Sequence, residues 1–179
     1  MSNELDRRAF LGIAIAAVPA AALAQGRPGQ LVRVGAGEDR FGIHKTLGPS
    51  TIDFKVTAED SGGAMLVIEN TNRAKGGPAR HLHVDQEEHF YVIEGDYAIE
   101  IGQERFVLKA GDSILAPRQV PHVWACVGNS LGRLLITFTP PGKMEAFFRE
   151  VSKGNAMPPQ DPALWRAHGM ELVGPPLKV

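Results

Sequence analysis

The stretch Gly76-Gly77-Pro78-Ala79-Arg80-His81-Leu82-His83-Val84-Asp85-Gln86-Glu87-Glu88-His89-Phe90-Tyr91-Val92-Ile93-Glu94-Gly95 reads as two short strands joined by a turn around Asp85-Gln86. His81 and His83 stand two apart on the first strand, so both imidazoles leave one face and can converge on one point. Glu87 and Glu88 open the second strand and point to opposite faces, so only one of the two carboxylates returns over that interior. Farther along, Pro117 and Pro121 lead into another strand at His122. Three neutral imidazoles and one carboxylate form a borderline donor set. It suits iron, manganese, nickel, copper or zinc and leaves positions for water or substrate. Any one of these histidines alone reads as a surface residue. Together they argue for one divalent metal ion.

The rest of the chain agrees with a β architecture around that site. Short apolar or alternating runs recur at Thr51–Thr57, Ala64–Thr71, His81–Val84, His89–Ile93, Tyr97–Ile101, Glu104–Leu108 and Ser113–Ala116, with a last run from Val123 to Thr139. Turn clusters such as Asp60-Ser61-Gly62-Gly63, Gly95-Asp96, Gly102-Gln103 and Gly111-Asp112 separate them. Regularly spaced short strands predict an all-β sandwich or closed barrel, because closure removes exposed edges. Beyond it the period changes. Met144, Phe147, Phe148 and Val151 stand at i, i+3, i+4 and i+7, the stripe of a helix ended by Gly154. Asp161-Pro162 then supplies an N-cap acceptor and a first-turn Pro for a second short helix, which Gly169 can close.

At the two histidine-bearing segments the chain resembles the cupin superfamily. The first cupin motif is similar to the run through His81-Leu82-His83, Glu88 and Gly95, and its spacing to Gly95 selects Glu88 over Glu87. The second is similar to Gly111, Pro117 and His122. Gly76 lies one residue nearer His81 than the motif's opening Gly, Gln119 stands where an inner Gly is usual, and Cys126 replaces an Asn. The resemblance implies a single double-stranded β-helix (jelly-roll) barrel over residues 51–140. His81, His83, Glu88 and His122 would be its metal ligands, with an N-terminal arm over 25–50 and a helical extension over 141–179 packed on the barrel. Phe90, Val92, Trp124 and Cys126 share the phase of a ligand on their strands and are candidates for pocket lining or core. His89 is one position out of phase with Glu88 and should face away from the metal.

Composition limits the partners. The 179 residues carry 19 Lys plus Arg against 20 Asp plus Glu, a balance without the basic excess that nucleic acid would call for. Arg7-Arg8 lead into an uncharged Ala-rich stretch ending Ala22-Leu23-Ala24, which reads as an export signal over 1–24 and resembles the twin-arginine type. That expectation places the mature protein in a bacterial periplasm, free of the membrane once cleaved. Cys126 is the only cysteine, so no disulfide forms within the chain. A homodimer is an open alternative to a monomer.

Cupins span dioxygenases, isomerases, decarboxylases and non-catalytic binders, so the fold does not set the reaction. A polar ligand set kept inside a barrel argues for catalysis, since apolar side chains there would be more stabilising. The small single-domain pattern resembles the quercetin-dioxygenase-like cupins, which implies an oxygenase acting on a phenolic or enolic small molecule, and folding before twin-arginine export would load a cytoplasmic ion, iron or manganese. In that reading Glu88 is the catalytic base. A non-catalytic exported binding protein and an oxygen-independent isomerase or decarboxylase are the alternatives.

Overall fold

The computed structural model describes residue 31 and residues 33–179. The export signal expected over 1–24, its cut after Ala24 and the first residues of the arm lie outside the described residues.

Two antiparallel sheets face each other. The first has the order β1 (Lys45–Leu47), β2 (Ser50–Val56), β3 (Leu66–Asn72), β10 (Gly132–Thr139), β5 (Glu87–Glu94), β8 (Ser113–Ala116). The second runs β11 (Met170–Pro176), β4 (Ala79–His83), β9 (His122–Cys126), β6 (Asp96–Ile101), β7 (Glu104–Lys109). Alternation turns one face of each strand inward. Phe54, Ile68, Ile136 and Phe90 form one continuous inner row across four neighbouring strands, none more than 2% exposed. Tyr97, Ile99 and Trp124 answer them from the opposite sheet. Burying each such side chain stabilises the fold by about 1.5–3 kcal/mol before chain entropy is counted. This is a jelly-roll barrel, as the strand pattern and the resemblance predict.

The described part of the arm is held by one buried carboxylate. Asp39 accepts hydrogen bonds from the backbone N–H groups of Phe41, Ile43 and Phe54 and from Lys45 Nζ. Burial works against its charge, but these four donors win and keep its pKa below the usual carboxylate value.

Two elements differ from the sequence reading. The run Val123–Thr139, expected as one strand, is two. The chain leaves the second sheet after Cys126 and enters the first at Gly132, with Val127 N–H donating to Asp96 O at 2.9 Å in the crossing. Gly128-Asn129-Ser130 is the turn signal that divides it. Gly132 is required at the landing point, since a Cβ there would sit 2.5 Å from Tyr97 Oη and 2.8 Å from Cys126 Sγ.

The second difference is at the C-terminal side. Helices α1 (Met144–Val151) and α2 (Pro162–Ala167) are present as read, with Met144, Phe147, Phe148 and Val151 buried. The Asp161 side chain accepts from Ala163 N–H, and Gly169 follows α2 at φ 80°. Residues Met170–Pro176, however, form a strand, β11, that the sequence reading did not contain. It pairs antiparallel with β4 on the outer edge of the sheet, where Pro175 and Pro176 can do without the missing N–H donors.

Candidate metal centre

β4 carries His81 and His83 inward, and β9 places His122 directly opposite His81. Glu88 reaches the same point from β5 in the other sheet. It faces inward because β5 begins at Glu87, which turns outward to bind Arg118 Nε at 2.6 Å and Arg118 N–H at 2.9 Å. His89 is half-buried on the outer face, as its phase predicts.

Local backbone explains the spacing. A Cβ on Gly77 would overlap the Trp124 carbonyl oxygen, so only glycine lets the chain pass β9 on its way into β4. Gly76 exchanges both backbone hydrogen bonds with Cys126 at 3.0 Å. The motif's glycine function is thus shared by two adjacent residues. Gln119 sits at φ 62°, the left-handed region that glycine occupies at low cost. Its N–H donates to His83 O at 2.7 Å, and Arg118 beside it is held by Glu87. Those bonds hold a non-glycine residue in that conformation.

The four residues are buried at 0–4% exposure, and one potential ligand atom from each lies within 4.8 Å of all the others. Glu88 Oε2 stands 2.8 Å from His122 Nε2, 3.1 Å from His83 Nε2 and 3.8 Å from His81 Nε2. Nδ1–H of His81 donates to Ala79 O at 2.8 Å, and Nδ1–H of His122 donates to Val120 O at 3.0 Å. In the neutral rings those bonds leave the Nε2 lone pairs of both residues aimed at a carboxylate oxygen. Acceptors facing acceptors repel unless a cation lies among them. His83 Nδ1 is buried with no partner among the described residues. The donor set therefore fits a divalent ion and could bind one.

Electrostatics lean the same way. Burial, reinforced by the charge His122 and His83 would carry, pushes the His81 pKa down from 6.5 to about 3, so this imidazole stays neutral and available. Burial disfavours the charge on Glu88, but in metal-free protein the close Nε2 atoms of His122 and His83, which donate to it only when protonated, outweigh burial and hold this carboxyl below its usual range. A pH dependence follows for metal-free protein. Unfolded His81 takes up a proton near 6.5 and folded His81 only near 3, so the unfolded chain binds more protons across that interval. The lowered pKa of Glu88 acts with the same sign. The urea midpoint of metal-free protein should fall steadily as pH drops from 6.5 towards 3; a flat or rising midpoint would contradict this placement of His81.

The cluster opens onto an apolar cavity. Trp124 lines it. Phe90, Val92 and Cys126 do not; they lie in the core, at 0–1% exposure. The wall also includes residues the sequence reading missed. The ring of Trp165 of α2 lies 5.0 Å from the His81 ring and 5.2 Å from that of Phe147 of α1, and both helices contribute to the cavity wall beside the cluster. Asn70 and Ser50 contribute the other polar groups of the lining. The only signal for Asn70 was a polar residue in phase with Leu66 and Ile68 on β3.

Residues 72–138, which contain all four clustered side chains, match the cupin domain family. The barrel has the cupin fold. An RmlC-like cupin from Shewanella frigidimarina covers 63% of this chain and 93% of its own, at 22% identity and TM-score 0.50. The polyketide cyclase RemF from Streptomyces resistomycificus covers 62% and 80%, at 20% identity and TM-score 0.51. Pac13, a nucleoside dehydratase from Streptomyces, covers 64% and 87%, at 13% identity and TM-score 0.51. These likenesses speak to the cupin fold alone. An uncharacterized protein of Methanocaldococcus jannaschii is 34% identical over 61 residues, which are 34% of this chain and 49% of that protein. The chain thus spans about half the length of that relative.

Proposed function

We propose that this cupin is a metal-dependent enzyme, an oxygenase that acts on a small phenolic or enolic compound with iron or manganese as its ion. The observation that supports the reading is the convergence of three imidazoles and the Glu88 carboxylate on one buried point that opens onto an apolar cavity. A divalent ion held by His81, His83, Glu88 and His122 would act as a Lewis acid towards a substrate oxygen. The chain's own groups do the rest. Trp124, Phe147 and Phe148 give a planar apolar substrate a face to pack on and exclude water. Glu88, ionised beside the cation, accepts the proton of a substrate hydroxyl brought beside it. Phe147 and Trp165 line the same cavity and would border the bound ring.

A second reading uses the same base without oxygen. It draws on the cyclase and dehydratase activities of the fold neighbours RemF and Pac13. One experiment separates the two. Protein loaded with iron or manganese is offered a panel of phenols and enols, with oxygen uptake and product followed in air and under nitrogen. Oxygen uptake coupled to substrate loss supports the oxygenase. Equal turnover under nitrogen favours the second reading, and no turnover in either atmosphere overturns both.

A further inference from the structure

Asn70 is out of place on its strand. It follows Leu66 and Ile68 on the inward face of β3, and its cross-strand partners are Ile52 of β2 and Leu134 of β10. An apolar side chain would suit that row better. Its carboxamide is 4% exposed and lines the same cavity as His81, His83 and Glu88, yet Oδ1 has no hydrogen-bond partner among the described residues. The next inward residue is different. Asn72 donates from Nδ2 to Ser50 Oγ at 2.7 Å and accepts from Tyr97 Oη at 2.9 Å, so its polarity is consumed within the protein. A buried amide oxygen without a donor is destabilising, and such an orphan in a cavity wall has the properties of a recognition group whose partner is a ligand.

Register places it relative to the cluster. Phe138 on β10 pairs with Glu88, and Leu134, four residues away, pairs with Asn70. Four residues of strand span about 13 Å, and both side chains reach inward from their rows. A single para-substituted ring, with one oxygen at the cluster, extends towards that second row.

Resting on the reading of the cluster as a metal site that binds a substrate oxygen, we propose that Asn70 is the specificity residue of the cavity. It accepts a hydrogen bond from a hydroxyl or N–H at the far end of the ligand. The ligand class is therefore a small aromatic or enolic molecule with two polar ends and an apolar middle.

The test compares hydroquinone with 4-methylphenol, which are alike in size but differ in that second donor. Binding is measured without oxygen on cobalt(II)-loaded protein by calorimetry, with the cobalt spectrum reporting on the cluster. Wild type should prefer hydroquinone by about tenfold or more, since a site built for a hydroxyl penalises the analogue that lacks it. Asn70→Leu should erase the preference, leave the cobalt spectrum unchanged, and raise the melting temperature of ligand-free protein. Equal binding of the two probes by wild type, failure of both to bind, or an unchanged preference in Asn70→Leu each overturn the proposal. A lower melting temperature in Asn70→Leu also overturns it, because Asn70 would then be structural, for instance holding a buried water. Because the wild-type comparison needs no variant, a folding defect in Asn70→Leu cannot hide the answer. If the tenfold preference holds while oxygen uptake is absent, the oxygenase reading falls and the role of Asn70 stands.

Discussion

His122→Ala is expected to lower affinity for a divalent ion by at least about a hundredfold, since loss of a mere supporting contact to a ligand already costs 10–100-fold. The variant should stay folded. β9 lies between β6 and β4, and Val123, Trp124 and Ala125 remain buried around the vacated position. Glu88→Gln should also weaken binding strongly, because the amide keeps an oxygen but loses the charge that offsets the cation. Glu87→Gln is the internal control. Its side chain engages Arg118 outside the barrel, so it should bind metal as wild type does and lose less than about 1 kcal/mol of stability. Titration with cobalt(II), followed by elemental analysis after gel filtration, reads all three. Full occupancy in His122→Ala would refute the ligand set, and equal losses in the two glutamate variants would refute the inward placement of Glu88.

The second large effect is expected from a change that touches none of the four. A chain ending at Gly169 keeps every candidate ligand but lacks β11. β4 pairs with β9 only at His81 and His122, whereas β11 pairs with it at five positions from Met170 to Pro176. Met170, 1% exposed, stands opposite His83. Losing one buried methionine and a ladder of backbone hydrogen bonds should cost about 5 kcal/mol or more. That is comparable to the whole stability of a typical domain of about 5–15 kcal/mol. The truncated protein should show a collapsed urea midpoint and no stoichiometric cobalt binding, while a chain ending at Pro176 should match wild type. Wild-type affinity in the chain ending at Gly169 would show that β9 alone can hold His81 and His83.

What could be read from the sequence, and what could not, divides by how local the cause is. His81, His83 and Glu88 fall within eight residues, and strand alternation alone turns the two histidines to one face. Met144, Phe147, Phe148 and Val151 announce α1 by their own spacing, and Asp161-Pro162 announces α2 by its cap. β11 is another matter. Met170-Glu171-Leu172-Val173 alternates too briefly before Gly174-Pro175-Pro176, and what makes it a strand is β4, about 90 residues upstream. The cavity wall failed for the same reason. Nothing near Trp165 signals that its ring will rest on His81, and Asn70 is conspicuous only once Ile52 and Leu134 are known to flank it. Phe90, Val92 and Cys126 have the right phase but stand in rows too deep in the core to reach the cavity. At Gln119 the residue type hid a backbone conformation that glycine would have announced.

The aromatic wall of Phe147 and Trp165 would separate how tightly the centre holds an ion from how fast it exchanges one. With the clustered residues at 0–4% exposure, an ion or a chelator would have to pass the aromatic wall that α1 and α2 contribute. Residence time would then depend on how often that wall yields. If yielding limited the rate, adding more chelator would no longer speed removal, and an ion once inside would be kept even against a competitor that binds more tightly at equilibrium.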